Sequence, residues 1–154
     1  MDGVPPPTPK GTQLPKVLMG RPMAESWIPE YIHKFTDAGW KVVVSEAAAP
    51  LSAEDFIADA AGCTAIMANG SDTVSRAVIE AAGDTLKVIA RTGVGFDKVD
   101  VDAAAEHGVA VTTTPGSNGE TVADFTLGLM LAGSRLIPQL DRTLKGGKWD
   151  PRKG

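Results

Sequence analysis

The stretch KVIARTGVGFDKVDVDAAAEHGVAVTT, residues 87–113, decides the fold. It opens with an unbroken apolar run that ends at Arg91 and breaks on Thr92-Gly93-Val94-Gly95. A segment with helical periodicity follows from Asp100 to Glu106, and Gly108 stands where that helix should stop. A second apolar run, Val109–Thr113, closes the stretch. Two runs joined through a helix predict parallel strands, because parallel neighbours need a crossover connection, which is usually a helix. The runs do not alternate apolar with polar, which fits strands covered on both faces.

Working outward, the same grammar repeats. Further runs lie at Lys16–Gly20, Lys41–Ser45 and Ala65–Ala68, with helical segments at Glu25–Ala38, Ser52–Ala60 and Val74–Ala82. Ser52, Ser71 or Thr73, and Asp100 are suited to cap helix starts, and Gly39, Gly83 and Gly108 to end them. Right-handed βαβ crossovers between five strands give an α/β, flavodoxin-like, doubly wound parallel sheet. Residues 1–15, with Pro5, Pro6, Pro7, Pro9 and Pro15, read as a disordered lead-in. Residues 16–118 form the sheet domain, and 119–154 a long linking helix and tail.

That last helix, Gly119 to about Ile137, is the odd element. Val122, Phe125, Leu129, Ala132 and Leu136 share a face, yet Leu127, Met130 and Leu131 off that face are equally apolar. Such a helix needs cover on several sides, so a further domain or a second copy of the chain is expected against 119–137. Pro138 is expected to kink or end it. At its start, Ser117 and Glu120 have the spacing of a capping box.

Composition narrows the function. A hydrophobic fraction of 43% and a charged fraction of 22% are those of a globular protein. The net charge of −4, with mixed signs, argues against a nucleic-acid surface. No apolar run is long enough for a membrane span, and Cys63 is the only cysteine. A cytoplasmic setting, no nucleic acid, no membrane and no metal are the expectations.

In doubly wound folds ligands bind outside the C-terminal strand ends. The loops there are Gly20-Arg21-Pro22, Asn69-Gly70-Ser71-Asp72, Thr92-Gly93-Val94-Gly95 and Pro115-Gly116-Ser117-Asn118-Gly119. Glycines let backbone N–H groups approach an anion closely, so a small anionic molecule is the natural ligand. Gly93-Val94-Gly95-Phe96-Asp97-Lys98 matches only two glycines of the dinucleotide fingerprint, with Lys98 in the third place. It reads as a tight or anion-holding turn. Arg91 reads as a brace at the sheet edge, Asp97 as a loop brace, and Cys63 as a small buried residue.

Residues Leu86–Asp100, then Thr114-Pro115-Gly116-Ser117-Asn118-Gly119-Glu120-Thr121-Val122-Ala123-Asp124, closely resemble the D-2-hydroxyacid dehydrogenases, especially the phosphoglycerate dehydrogenase group. Leu127–Leu131, Arg135, Pro138 and Gly147-Lys148-Trp149 are similar to that family's long linking helix and its sequel. The resemblance implies the substrate-binding part of an enzyme that passes hydride between a small 2-hydroxy or 2-oxo acid and NAD or NADP. It implies that the N–H groups of Val94 and Gly95 hold the substrate carboxylate. Asn69, Gly70 and Ser71 would line the substrate side, Asn118 would sit near substrate and nicotinamide, and Thr121 and Asp72 would face the cofactor. The family's catalytic Arg, Glu and His and its G-x-G-x-x-G belong to a second half and match nothing in this sequence, so no catalytic residue is assigned here. His33 and His107 lack a suitably placed carboxylate.

Two departures stand out. Phosphoglycerate-specific members usually carry Arg and Ser where Asn69 and Gly70 stand, and Thr where Asp72 stands, which argues against a substrate with two anionic groups. The implied complete protein is about twice as long as this chain, and the piece by itself is expected to be inactive. The alternative is a non-catalytic flavodoxin-like module that dimerises through 119–137 or binds a small anion.

Overall fold

The computed structural model describes residues 14–19, 31–45 and 52–149. The expectations for the proline-rich start, for Gly20-Arg21-Pro22 and for the first part of the Glu25–Ala38 helix fall outside those residues. The elements are β1 (Lys16–Met19), α1 (helical over 31–37), β2 (Lys41–Val44), α2 (Ala53–Ala60), β3 (Ala65–Ala68) and α3 (Arg76–Ala82). They continue with β4 (Val88–Arg91), α4 (Val101–Glu106), β5 (Ala110–Thr112), α5 (Gly119–Ser134) and α6 (Ile137–Lys145). The chain divides into two compact units, one through Pro115 and one from Gly116.

The first unit holds a five-stranded sheet in the order β2-β1-β3-β4-β5, every pair parallel. That is the flavodoxin-like order expected from the alternation of runs and helices. Register builds one apolar row across all five strands, Val43–Leu18–Ile66–Ile89–Val111. Leu18, Ile66 and Ile89 in that row are buried against Phe56 of α2, Val78 and Ile79 of α3, and Ala103 of α4. On the opposite face Val17, Met19 and Ala65 pack with Phe35 and Trp40, whose rings meet edge-to-face at 6.0 Å. Each fully buried Leu or Ile contributes about 1.5–3 kcal/mol, so burial of both faces is what holds the sheet.

Two of the expected caps are in place. The Ser52 hydroxyl accepts from the Asp55 N–H at 3.1 Å, and the Asp100 carboxylate from the Ala103 N–H at 2.9 Å. Asp100→Ala is expected to lower stability by about 0.5–2 kcal/mol, readable as a shift of the urea midpoint. Gly39, Gly83 and Gly108 end their helices at φ of 79°, 70° and 66°, a region that costs other residues strain.

Three helix boundaries differ from expectation. Helix α3 starts at Arg76 after Ser75, not at Val74 after Ser71 or Thr73, and Ser75 makes no side-chain cap bond. The cause is long-range: Val74 donates to the Lys98 carbonyl and accepts from the Asp100 N–H, a parallel bridge that keeps it extended. The cap of α5 is Asn118, so the capping box on Ser117 is not the observed arrangement. Helix α5 ends at Ser134, before Pro138. Leu136 turns left-handed at φ 55°, and Pro138 lies in the first turn of α6, where its missing N–H is harmless.

Cys63 is fully buried, and burial pushes its thiol pKa up. Because the folded value is raised, its contribution to stability is complete below the ordinary thiol range and is lost as pH rises from there through the raised folded value. Alkylation at neutral pH is expected to be slow in the native protein and fast in urea, measured by mass spectrometry.

Candidate functional site

The turn after β3 and the exit of β4 are neighbours because Ala68 and Arg91 are register partners. Within the turn, the Asn69 side-chain oxygen accepts from the Ser71 N–H at 2.8 Å and the Ser71 hydroxyl at 2.6 Å. The Asp72 carboxylate reaches back to accept from the Asn69 N–H at 2.9 Å. Asp72 is only 3% exposed, so it braces the turn from inside. Gly70 and Ser71 are left at the surface, where they can meet a ligand.

Gly93 stands at φ 134° after β4, and its N–H donates to the Thr114 hydroxyl at 2.9 Å. Its carbonyl accepts from the Thr114 N–H at 2.9 Å, so Gly93 is held through both its backbone groups. Beyond it the N–H groups of Val94 and Gly95 donate to no protein group among the described residues. A side chain at Gly95 would place its Cβ 3.1 Å from the Asp97 carboxylate. The turn is therefore a pinned loop that presents free donors, which is what a carboxylate needs. It is not a dinucleotide cradle. Helix α4 begins only at Val101, and the Asp100 carboxylate at its start accepts from the Ala103 N–H. The pyrophosphate site that a fingerprint provides is absent from this loop.

Two cations in this region were not singled out as ligand-binding from the sequence. Arg91 is 7% exposed and its guanidinium lies between the two turns. A Cβ at Gly70 would be 3.9 Å from one terminal nitrogen, and a Cβ at Gly93 would be 3.8 Å from the other. Its only hydrogen bond among the described residues is to the Thr92 carbonyl at 2.9 Å. Lys98 is exposed and its ammonium donates to the Ser71 carbonyl at 3.4 Å. The signal for Arg91 was its place at a strand end beside a glycine turn. For Lys98 the sequence offered only a mismatch to a motif.

Asn118 and Thr121 belong to the second unit, at the cap and in the first turn of α5, and both are exposed. His107 ends α4 with its ring Nδ1 2.9 Å from the Ala103 carbonyl, a capping role rather than a chemical one. Among the described residues no three His, Cys, Asp or Glu gather as a metal site. No helix among them is long and apolar enough to cross a membrane.

Comparison with known proteins gives the family. The model of the D-isomer specific 2-hydroxyacid dehydrogenase catalytic domain matches residues 21–143. The chain belongs to the D-isomer-specific 2-hydroxyacid dehydrogenase family. Among relatives of this dehydrogenase family member, the D-3-phosphoglycerate dehydrogenase of Archaeoglobus fulgidus is 38% identical over 138 residues, 90% of this chain and 25% of that protein. The Methanocaldococcus jannaschii enzyme of the same name is 41% identical over 108 residues, 70% of this chain and 20% of that protein. The solved structure of the TT0316 protein from Thermus thermophilus superposes with a TM-score of 0.77 at 30% identity, covering 88% of this chain and 43% of that one. An NAD+-bound 3-phosphoglycerate dehydrogenase from Entamoeba histolytica gives a TM-score of 0.68 at 28% identity, over 80% and 40% of the two chains. The chain thus spans about a quarter or less of these curated relatives and about two-fifths of the solved structures.

Proposed function

We propose that this chain is the substrate-binding part of an NAD-dependent D-2-hydroxyacid dehydrogenase, which passes hydride between a small 2-hydroxy acid and NAD or NADP. The observation that carries the reading is the pinned turn after β4, in which the N–H groups of Val94 and Gly95 donate to no protein group among the described residues. They hold the acid's carboxylate, while Asn69, Gly70 and Ser71 line the side away from the cofactor. Asn118 and Thr121 supply this chain's contacts to the nicotinamide side. Asp72, being buried, contributes there by fixing the turn. The residues of loop 93–98 do not fit a dinucleotide pyrophosphate, so no chemical step is assigned to them. A cytoplasmic setting, with its reduced thiols, matches the single buried Cys63.

The 154-residue chain by itself is expected to oxidise no NADH with any 2-oxo acid. It should still bind such acids weakly, with amide NMR shifts centred on Val94 and Gly95. Turnover by the pure chain would sink the expectation of inactivity. Saturating shifts elsewhere, with none at Val94 and Gly95, would sink the carboxylate assignment.

One observation favours a second role for the same chain. No residue of α5 or α6 is buried, and Phe125, Met130 and Leu131 are each more than 60% exposed. Apolar surface of that kind marks an interaction face, and we assign it to homodimerisation through 119–137. Sedimentation should give a dimer, and replacing Phe125 and Met130 together by Glu should give a monomer with an intact sheet.

A further inference from the structure

We infer that one buried water molecule is built into the binding edge, held by the Asn69 side-chain nitrogen, the Arg91 Nε and the inner oxygen of the Asp72 carboxylate. The inference stands apart from the proposed function, since it concerns how the two turns are held and not what they bind.

Three buried side-chain atoms among the described residues have no protein partner, and all three lie in this one layer. The Asn69 oxygen is taken by the Ser71 N–H and hydroxyl, and the nitrogen at the other end of that amide is buried with no acceptor. One Asp72 oxygen, Oδ2, accepts from the Asn69 N–H, while Oδ1 is buried with no donor. Arg91 joins them across the sheet, because Ala68 and Arg91 are register partners and Asn69 is the next residue along. Its Nη1 donates to the Thr92 carbonyl, while its Nε is buried with no acceptor.

A buried polar atom left unmatched costs its full desolvation penalty, so groups of this kind are matched in folded proteins. Two donors and one acceptor are the complement of a single water, which accepts twice and donates once, the usual coordination of an interior water. Asp72 and Arg91 are not in direct contact, since the ion pairs among the described residues are Arg76–Glu106 and Lys145–Asp141. A bridging molecule therefore carries the contact. An anion in that place would be repelled by the Asp72 carboxylate, and a metal cation by the Arg91 guanidinium. Water is the occupant that meets all three atoms. It ties the Asn69–Asp72 turn to the end of β4, from which the Gly93–Gly95 turn departs. In Arg91→Met the water keeps Asn69 and Asp72 as partners, so that substitution does not strand the carboxylate.

The test records water-to-protein nuclear Overhauser spectra of the isotope-labelled 154-residue chain in chloride-free buffer. The S71A variant is measured beside it, because proton exchange at the Ser71 hydroxyl could relay magnetisation to Asn69. In both chains, cross-peaks from water to the Asn69 side-chain amide and the Arg91 Nε–H are expected, with the sign of a long-lived interior water. In D72L, which removes the acceptor, they should be lost; if that variant does not fold, the wild-type spectra decide alone. Cross-peaks of the opposite sign, as surface hydration gives, overturn the inference. So does their survival in D72L, or an Arg91 Nε–H that exchanges as fast as that of the exposed Arg142. A scalar coupling across a hydrogen bond from Arg91 Nε to the Asp72 carboxylate would reveal a direct ion pair and overturn it as well. Movement of the Asn69 and Arg91 side-chain signals on adding chloride would do the same, by placing an anion where the water is inferred.

Discussion

Ile66→Ala is expected to lower the unfolding free energy by about 2–5 kcal/mol, the range for truncating a fully buried aliphatic side chain. Ile66 lies on β3, the central strand, between Leu18 and Ile89 in the row that crosses the whole sheet. All three are essentially inaccessible to solvent, and α2, α3 and α4 bury side chains against them. Collapse into the vacated space would have to move three strands and the helices above them together. The cavity should therefore stay open, and the cost should fall toward the upper end of the range. Urea unfolding reads it as a lower midpoint with an unchanged slope. A loss below about 1 kcal/mol would mean that the sheet is not packed as described.

Arg91→Met is expected to have opposite effects on stability and on binding. The methionine keeps much of the volume while removing a buried charge that has no carboxylate partner among the described residues. Replacing buried charge by well-packed apolar side chains is commonly neutral or stabilising by about 1–4 kcal/mol. One hydrogen bond, to the Thr92 carbonyl, is lost and offsets roughly 1 kcal/mol of that. The melting temperature should therefore hold or rise, while affinity for a 2-oxo acid's carboxylate at the neighbouring Val94–Gly95 turn falls, because the guanidinium lies against Gly93. A sharp loss of stability would instead identify Arg91 as a structural brace, the reading its sequence position first suggests. Residues that lower stability while serving a ligand are common at binding sites, because the ligand supplies the missing partner.

Much of the fold was legible because it depends on local chemistry. Apolar runs such as Lys87–Arg91 and Ala65–Ala68, the caps at Ser52 and Asp100, and the stops at Gly39, Gly83 and Gly108 each act within a few residues. Their order along the chain implies a parallel doubly wound sheet. The turns at Asn69–Asp72 and Gly93–Gly95 were legible for the same reason, since glycine and short polar side chains have specific backbone uses. The all-round apolarity of 119–137 also announced an exposed helix in need of cover.

What the sequence could not determine was every feature set by partners distant along the chain. Helix α3 starts at Arg76 because Val74 is held by Lys98 and Asp100, a bridge between loops that no local propensity encodes. Asp72 turns inward to hold Asn69, although its position alone allowed it to face a cofactor. Arg91 becomes a buried cation between Gly70 and Gly93 only when strand register brings β3 and β4 side by side. The sequence by itself determined the elements, their order and the family. The tertiary structure alone decided where the charges at the binding edge meet, because electrostatic interaction depends on distance in space and not on separation along the chain.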